Sequence, residues 1–199
     1  MNAAAVQFDA EAHTYTVDGV LFPSVTQVLG DLSARIYRFV NAADMVRTAQ
    51  LGTAVHAVIE LDAHDQLDED DLDDGLRPYL DMWRQFKAQS GFQVILSEQR
   101  VVSQRYGYAG TLDLFGRLHK RLALADAKRC AAVPKTAGPQ TAGYEIALRE
   151  CHPEFGIEPI DRYALHLTPE RWQLVPLRDR DDSRVFLSAL TLHKWSNSL

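Results

Sequence analysis

The sequence predicts an α/β fold, a central mixed β-sheet flanked by helices with a β-hairpin at its N-terminus. The prediction rests on two observations. Stretches with two-residue alternation lie at 92–103, 107–130, 162–167 and 172–177, and helical apolar stripes separate or flank them. Strand and helix periods that follow one another along one chain give a sheet covered by helices. At 199 residues and 46% hydrophobic, the chain suffices for one domain over 1–199. Residues 1–40 hold the hairpin and a short helix, and 41–199 hold the core.

Residues 6–22 read as the hairpin. Phe8, Tyr15 and Val17 alternate with polar residues, and Asp18-Gly19 is a two-residue turn signal ahead of Val20 and Phe22. Pro23-Ser24 opens a short helix, with Ser24 as N-cap over Val25, Val28 and Leu29. Asn41 is a candidate N-cap for a longer helix to about Ala63. Gly52 inside it costs about 1 kcal/mol, which suggests close approach of another backbone or of a substrate. The acidic run at 62–74 reads as a loop or helix-to-helix connection, solvated and mobile. Leu76 to Ser90 is a helix with Pro78 in its first turn, a Tyr79, Trp83 and Phe86 stripe, and Gly91 as its stop.

The strand over 92–103 carries Glu98. The next two strands, joined by a tight turn, place Thr111, Asp113 and Phe115 on one face, and Leu122, Leu124, Asp126 and Lys128 on another. Pro139 opens a helix with Gln140, Tyr144 and Leu148 in register, and 150–159 is loop. Two strands joined by 168–171 and an amphipathic helix over 181–196 complete the chain.

The strand carrying Asp126 and Lys128 begins apolar and ends charged on the same face. A sheet gains no structural benefit from that, whereas a metal site does: carboxylates bind a hard cation and a lysine serves the reaction. The competing reading is an exposed ion pair worth about 0–1 kcal/mol. His56 and Glu60 lie four apart on one helical face. They read as a metal ligand with a supporting acid, as a surface pair, or as a buried structural histidine with a neighbour. Glu98 reads either as decoration of a strand edge or as a ligand beside Asp113.

The formal charge of −6 is concentrated in one place. Residues 61–76 hold eight acids and no Lys or Arg, and without them twenty-one bases face nineteen acids, a balance of +2. Residues 100–135 hold eight bases and only two acids, Asp113 and Asp126. A positive surface around two carboxylates suits a phosphate-bearing substrate that meets a metal. Two cysteines, Cys130 and Cys151, point to a reducing, cytoplasmic compartment and are too few for a four-cysteine iron–sulfur cluster. No 18-residue apolar run or signal peptide is present, so no membrane association is expected. A phosphate-binding Gly-rich loop with Lys-Ser/Thr and a Gly-x-Ser-x-Gly elbow are both absent.

In order and spacing, five elements resemble the PD-(D/E)XK nuclease superfamily, and within it the RecB-like and phage-type exonuclease branch. Gly52-Thr53-Ala54-Val55-His56 with Glu60 resembles its helical Gly-x-x-x-His-x-x-x-Glu motif. Glu98 resembles its acidic strand position, Gly110-Thr111-Leu112-Asp113 its aspartate motif, and Asp126-Ala127-Lys128 its Asp/Glu-x-Lys motif. Gln140-Thr141-Ala142-Gly143-Tyr144 resembles its Gln-x-x-x-Tyr motif. The resemblance covers about 13–195, and it departs from the family at Arg129, where a small hydroxyl residue is frequent.

The resemblance implies a single restriction-endonuclease-like domain and Mg²⁺- or Mn²⁺-dependent hydrolysis of DNA, without an iron–sulfur cluster. It implies metal ligation by His56, Asp113, Asp126 and the Ala127 carbonyl, with Glu98 at a second ion and Lys128 as the catalytic lysine. Gln140, Tyr144, Glu60 and Gly52 line the groove, and Arg105, Arg129 and Lys135 are candidates for phosphate contacts. It further implies a recombination or repair role in a bacterial cell or its phage, a homo-oligomeric ring, and a single-strand annealing partner. A structure- or sequence-specific endonuclease and an inactive DNA-binding scaffold are the alternatives on the same core.

Overall fold

A computed structural model describes residues 6–9, 14–36, 42–129 and 132–197, with backbone alone over 42–49. Asn41 and Cys130 lie outside the described residues. Three strands open the chain, β1 (Val6–Asp9), β2 (Thr14–Val17) and β3 (Val20–Phe22), followed by α1 (Val25–Val28) and α2 (Gly30–Ile36). Next come α3 (Ala42–Ala63), α4 (Arg77–Ser90), β4 (Gln93–Ser103), β5 (Tyr108–Leu118) and β6 (Arg121–Lys128). The chain finishes with α5 (Ala137–Cys151), β7 (Ile160–Leu167), β8 (Trp172–Pro176) and α6 (Asp182–Ser196).

The fold is α/β. A five-stranded mixed sheet has the order β4-β5-β6-β7-β8, with β6 and β7 parallel and every other pair antiparallel. The parallel pair needs a crossover, and α5 supplies it. The N-terminal hairpin is a separate three-stranded antiparallel meander, β1-β2-β3. Its turn has φ 48° at Asp18 and φ 83° at Gly19. Both values are positive, as the two central positions of a type I′ turn require.

Local signals in the sequence have direct counterparts. Ser24 caps α1 in a reciprocal capping box with Gln27. Gly91 ends α4 at φ 68°, its N–H donating to the Lys87 carbonyl. That left-handed conformation is the usual glycine stop. Helix α2 was not expected, and α5 differs at both ends. Helix α5 begins at Ala137, two residues before Pro139, because Pro tolerates the first turn. It also runs to Cys151, so Glu150 is helical rather than in the loop, and accepts from Ser103 Oγ at 2.5 Å.

The sheet is packed on both sides. Helices α3 and α4 cover one side through Val55, Val58, Ile59, Trp83 and Phe86 against Leu114 and Leu165. Helices α1, α5 and α6 cover the other through Val25, Leu148 and Phe186 against Leu112, Phe115 and Leu124. Full burial of each large apolar side chain contributes roughly 1.5–3 kcal/mol, and Trp83 and Phe86 are fully enclosed. The meander packs Tyr15 and Val17 on Val102 and Ala109.

Asp62 corrects the reading of the acidic run as solvated throughout. It belongs to α3, is buried, and accepts from Trp83 Nε1, Arg84 Nε and Lys87 Nζ at 2.7 Å each. It therefore pins α3 to α4.

The alternation of β5 also differs from expectation. Leu112 and Phe115 lie in the same core cluster and Leu114 in the opposite one, so Asp113 and Phe115 do not share a face. The two-residue period slips at Asp113. The β4–β5 register holds here, its one shift lying between Val94 and Leu96, so Ser97↔Leu114 and Gln99↔Leu112 set Glu98 opposite Asp113. The β4 alternation slips too, since Leu96 and Val101 share one core cluster, and Glu98 has φ 44°. The β5–β6 ladder meanwhile stops at Leu114↔Ala125. Beyond that point Pro23-Ser24 lies along β5, where the Ala109 N–H donates to the Pro23 carbonyl. The result is a split between β5 and β6 with Asp113 at its head.

Candidate metal centre

Asp113 is 9% exposed and fills the split. Its Oδ2 accepts from the Ala127 N–H at 2.7 Å, replacing the ladder bond that its own backbone no longer makes. In a strand, a residue's N–H and C=O point to the same side, so the Ala127 carbonyl faces the same gap. The other oxygen, Oδ1, is 3.6 Å from His56 Nδ1. Glu98 Oε1 lies 3.2 Å from the same nitrogen. Donor atoms of His56, Glu98 and Asp113 all fall within 4.8 Å of one another, and the group contains no cysteine.

This grouping resolves one alternative. Glu98, not Glu60, is the acid that meets His56. Among the described residues the Glu60 side chain makes no hydrogen bond or ion pair, because the imidazole turns from the helix surface toward the sheet. Glu98 reaches it through the slip in β4. Positive φ on a non-glycine residue costs of order 1–3 kcal/mol and collects at functional sites.

A second network adjoins the first. Asp126 is 1% exposed, and its Oδ2 is 2.6 Å from Lys128 Nζ. Gln140 on α5 donates from Nε2 to Asp126 Oδ1 at 3.0 Å and to Tyr144 Oη at 3.2 Å, while its Oε1 accepts from Lys128 Nζ at 3.2 Å. Thus Asp126, Lys128, Gln140 and Tyr144 form one connected set, as one-face placement in β6 and α5 anticipates. Gly110 makes room for it, since a Cβ there would meet Tyr144 Cε1 at 2.7 Å.

The electrostatics follow from buried charges at close range. The negative charge of Asp113 raises His56 to about 9, against the opposing effect of burial and with help from Glu98. Burial raises Asp126 to about 6, with the Lys128 cation opposing it. Burial also raises Asp113, with His56 and Lys128 opposing. Desolvated carboxylates held in place gain most from a further cation. The donor set, one imidazole nitrogen and two carboxylates, could hold a metal ion.

The other expected residues divide by position. A Cβ on Gly52 would sit 3.8 Å from Arg129 Nε, an ordinary contact, so no described residue demands glycine there. Arg129 immediately follows Lys128, and Lys135 is exposed on the loop before α5. Arg105 lies elsewhere. Its N–H donates to Glu150 near the C-terminus of α5. Glu150 is ten residues from Gln140, which is about 15 Å along a helix. Sequence reasoning did not assign Tyr15 or Arg100 to the site. Tyr15 Oη is 2.8 Å from Thr111 Oγ1, and Arg100 pairs in register with Thr111. Only the two-residue spacing from Glu98 to Arg100 could have pointed there.

Among the described residues no helix is long and apolar enough to cross a membrane. No protein-family model matches this chain, and no curated protein matches it.

Proposed function

We propose that this chain is a metal-dependent DNA nuclease with a restriction-endonuclease-like core of the PD-(D/E)XK type, acting on DNA ends as an exonuclease. The observation that carries the reading is convergence. Residues 42 and 57 positions apart, His56 with Glu98 and with Asp113, bring their donor atoms within 4.8 Å. Beside them stands a lysine ion-paired to a second buried aspartate. The mixed sheet, split at Asp113, and the Gln140–Tyr144 pair support the same reading.

A divalent ion bound here would polarise a phosphate oxygen and lower the pKa of a water. His56, Glu98 and Asp113 would hold it, with the Ala127 carbonyl facing the same gap and Asp126 in the adjoining network with Lys128 and Gln140. Lys128 carries positive charge at the lip, where it orients the attacking water and opposes charge that builds on the phosphorane. Gln140 keeps Asp126 and Lys128 in place, and Tyr144 keeps Gln140 in place. Arg129 and Lys135 lie where the substrate backbone would pass after β6.

The test is digestion of end-labelled linear duplex and closed circular DNA with Mg²⁺, Mn²⁺ or EDTA. Metal-dependent loss of linear DNA with the circle spared is the expected result. Nicking of the circle would replace the exonuclease with an endonuclease. No cleavage by folded protein under either metal would overturn the nuclease reading.

A further inference from the structure

The strip of sheet beyond the metal centre carries one feature that the proposed chemistry does not use. Arg100 follows Glu98 by two residues on β4, about 7 Å along the strand. It pairs with Thr111, two residues from Asp113. The slip at Glu98 and Asp113 leaves Arg100 and Thr111 on the side of the sheet where the meander packs, since their neighbours Val102 and Ala109 carry Tyr15 and Val17.

The meander builds a mount for this arginine. The Arg100 guanidinium carbon lies 5.5 Å from the centroid of the Phe8 ring. Phe8 packs on Tyr15 with ring centroids 4.7 Å apart, and Tyr15 is anchored to Thr111 through its hydroxyl.

Arg100 is exposed, and its partner differs from those of five other arginines of the sheet and its helices. Arg84, Arg117, Arg121, Arg149 and Arg162 each bridge to a carboxylate. Arg100 makes no ion pair with a described residue; its aromatic contact is with Phe8. A guanidinium stacked on a ring keeps its charge and leaves its N–H edge open, and that edge fits two phosphate oxygens at once.

On the reading that the substrate is DNA, we propose that Arg100, mounted on Phe8, binds a backbone phosphate next to the one held at the metal centre. It is a substrate-binding residue that fixes the strand's register against His56, Glu98 and Asp113. Phe8 acts through it as a positioning residue. Chemistry at the scissile phosphate belongs to other groups, so Arg100 governs substrate affinity and KM rather than kcat.

The test uses the full chain and a fluorescein-labelled 20-base-pair duplex. Binding is followed by anisotropy in EDTA over a series of salt concentrations, and cleavage of the same duplex is followed with Mn²⁺. Arg100→Gln is expected to weaken binding fivefold to tenfold and to lower the salt slope by about one. KM should rise by a similar factor with kcat within about twofold. Arg100→Lys should recover part of the affinity and the full slope, and Phe8→Leu should weaken binding without changing the slope. Arg100 is exposed, and a thermal melt by circular dichroism is expected to match wild type. Unchanged affinity and slope in Arg100→Gln would overturn the proposal while leaving the nuclease reading intact. Wild type that binds with the Arg100-dependent slope yet never cleaves would support the phosphate clamp and overturn the nuclease. Wild type that binds no DNA would remove both.

Discussion

Glu98 stands opposite Asp113 across the β4–β5 ladder, and both strands lose their alternation at that pair. The paired slip turns two carboxylates toward His56 on α3, where regular strands would not hold them together. Glu98 holds this position at φ 44°.

That strain predicts an inverted preference. In an ordinary strand, Gly is less stable than Ala by roughly 0.5–1 kcal/mol. At position 98, Glu98→Gly should be more stable than Glu98→Ala by about 1 kcal/mol, because glycine accepts positive φ without strain. Both variants should lose at least tenfold in Mn²⁺ affinity. Urea midpoints and calorimetric titration with Mn²⁺ measure the two effects, and an Ala variant as stable as the Gly variant would refute the strain.

Asp113 supplies both a donor and the cap on the Ala127 N–H. Asp113→Asn can keep the cap through its amide oxygen and loses the charge. Saturating Mn²⁺ should stabilise the wild type by about 2.7 kcal/mol at 100 times Kd, read as a rise in melting temperature. The variant should show little or none of that rise. An equal metal-induced shift in both proteins would exclude Asp113 as a ligand.

Lys128→Ala should abolish turnover while preserving metal binding. Removing a preorganised charge at a developing oxyanion costs about 10²–10³ in rate. The candidate metal donors His56, Glu98 and Asp113 do not include the lysine. Cleavage assays paired with Mn²⁺ titration separate the two properties, and turnover within a few-fold of wild type would take Lys128 out of the mechanism.

Asp62 predicts a pH-dependent contribution to stability. Burial raises its carboxyl, but hydrogen bonds from Lys87, Arg84 and Trp83 outweigh this and hold it below 3.8. A depressed folded-state pKa stabilises above the unfolded value and loses that contribution as pH falls through the folded one. Asp62→Asn should therefore cost about 1–3 kcal/mol at pH 7. The difference from wild type should shrink as pH drops below 3.8. Urea unfolding at pH 7 and at pH 3 gives the comparison, and a difference that stays constant across that range would count against the ionised network.

The α/β class, most element boundaries and the one-face set Asp126, Lys128, Gln140 and Tyr144 were legible in the residues alone. Those features depend on short-range rules: strand and helix periods, the Ser24 cap, the Asp18-Gly19 turn and the Gly91 stop, each acting over a few residues. Four features emerge only when the chain is folded. Glu98 rather than Glu60 meets His56, Asp62 is buried while its acidic neighbours are not, Arg105 lies at the far end of α5, and Arg100 stands beside the centre. Each of these depends on partners tens of residues away or on a local break in strand alternation. Periodicity assumes regular backbone, and here the irregular backbone at Glu98 and Asp113, held by packing on both sides of the sheet, is what assembles the site.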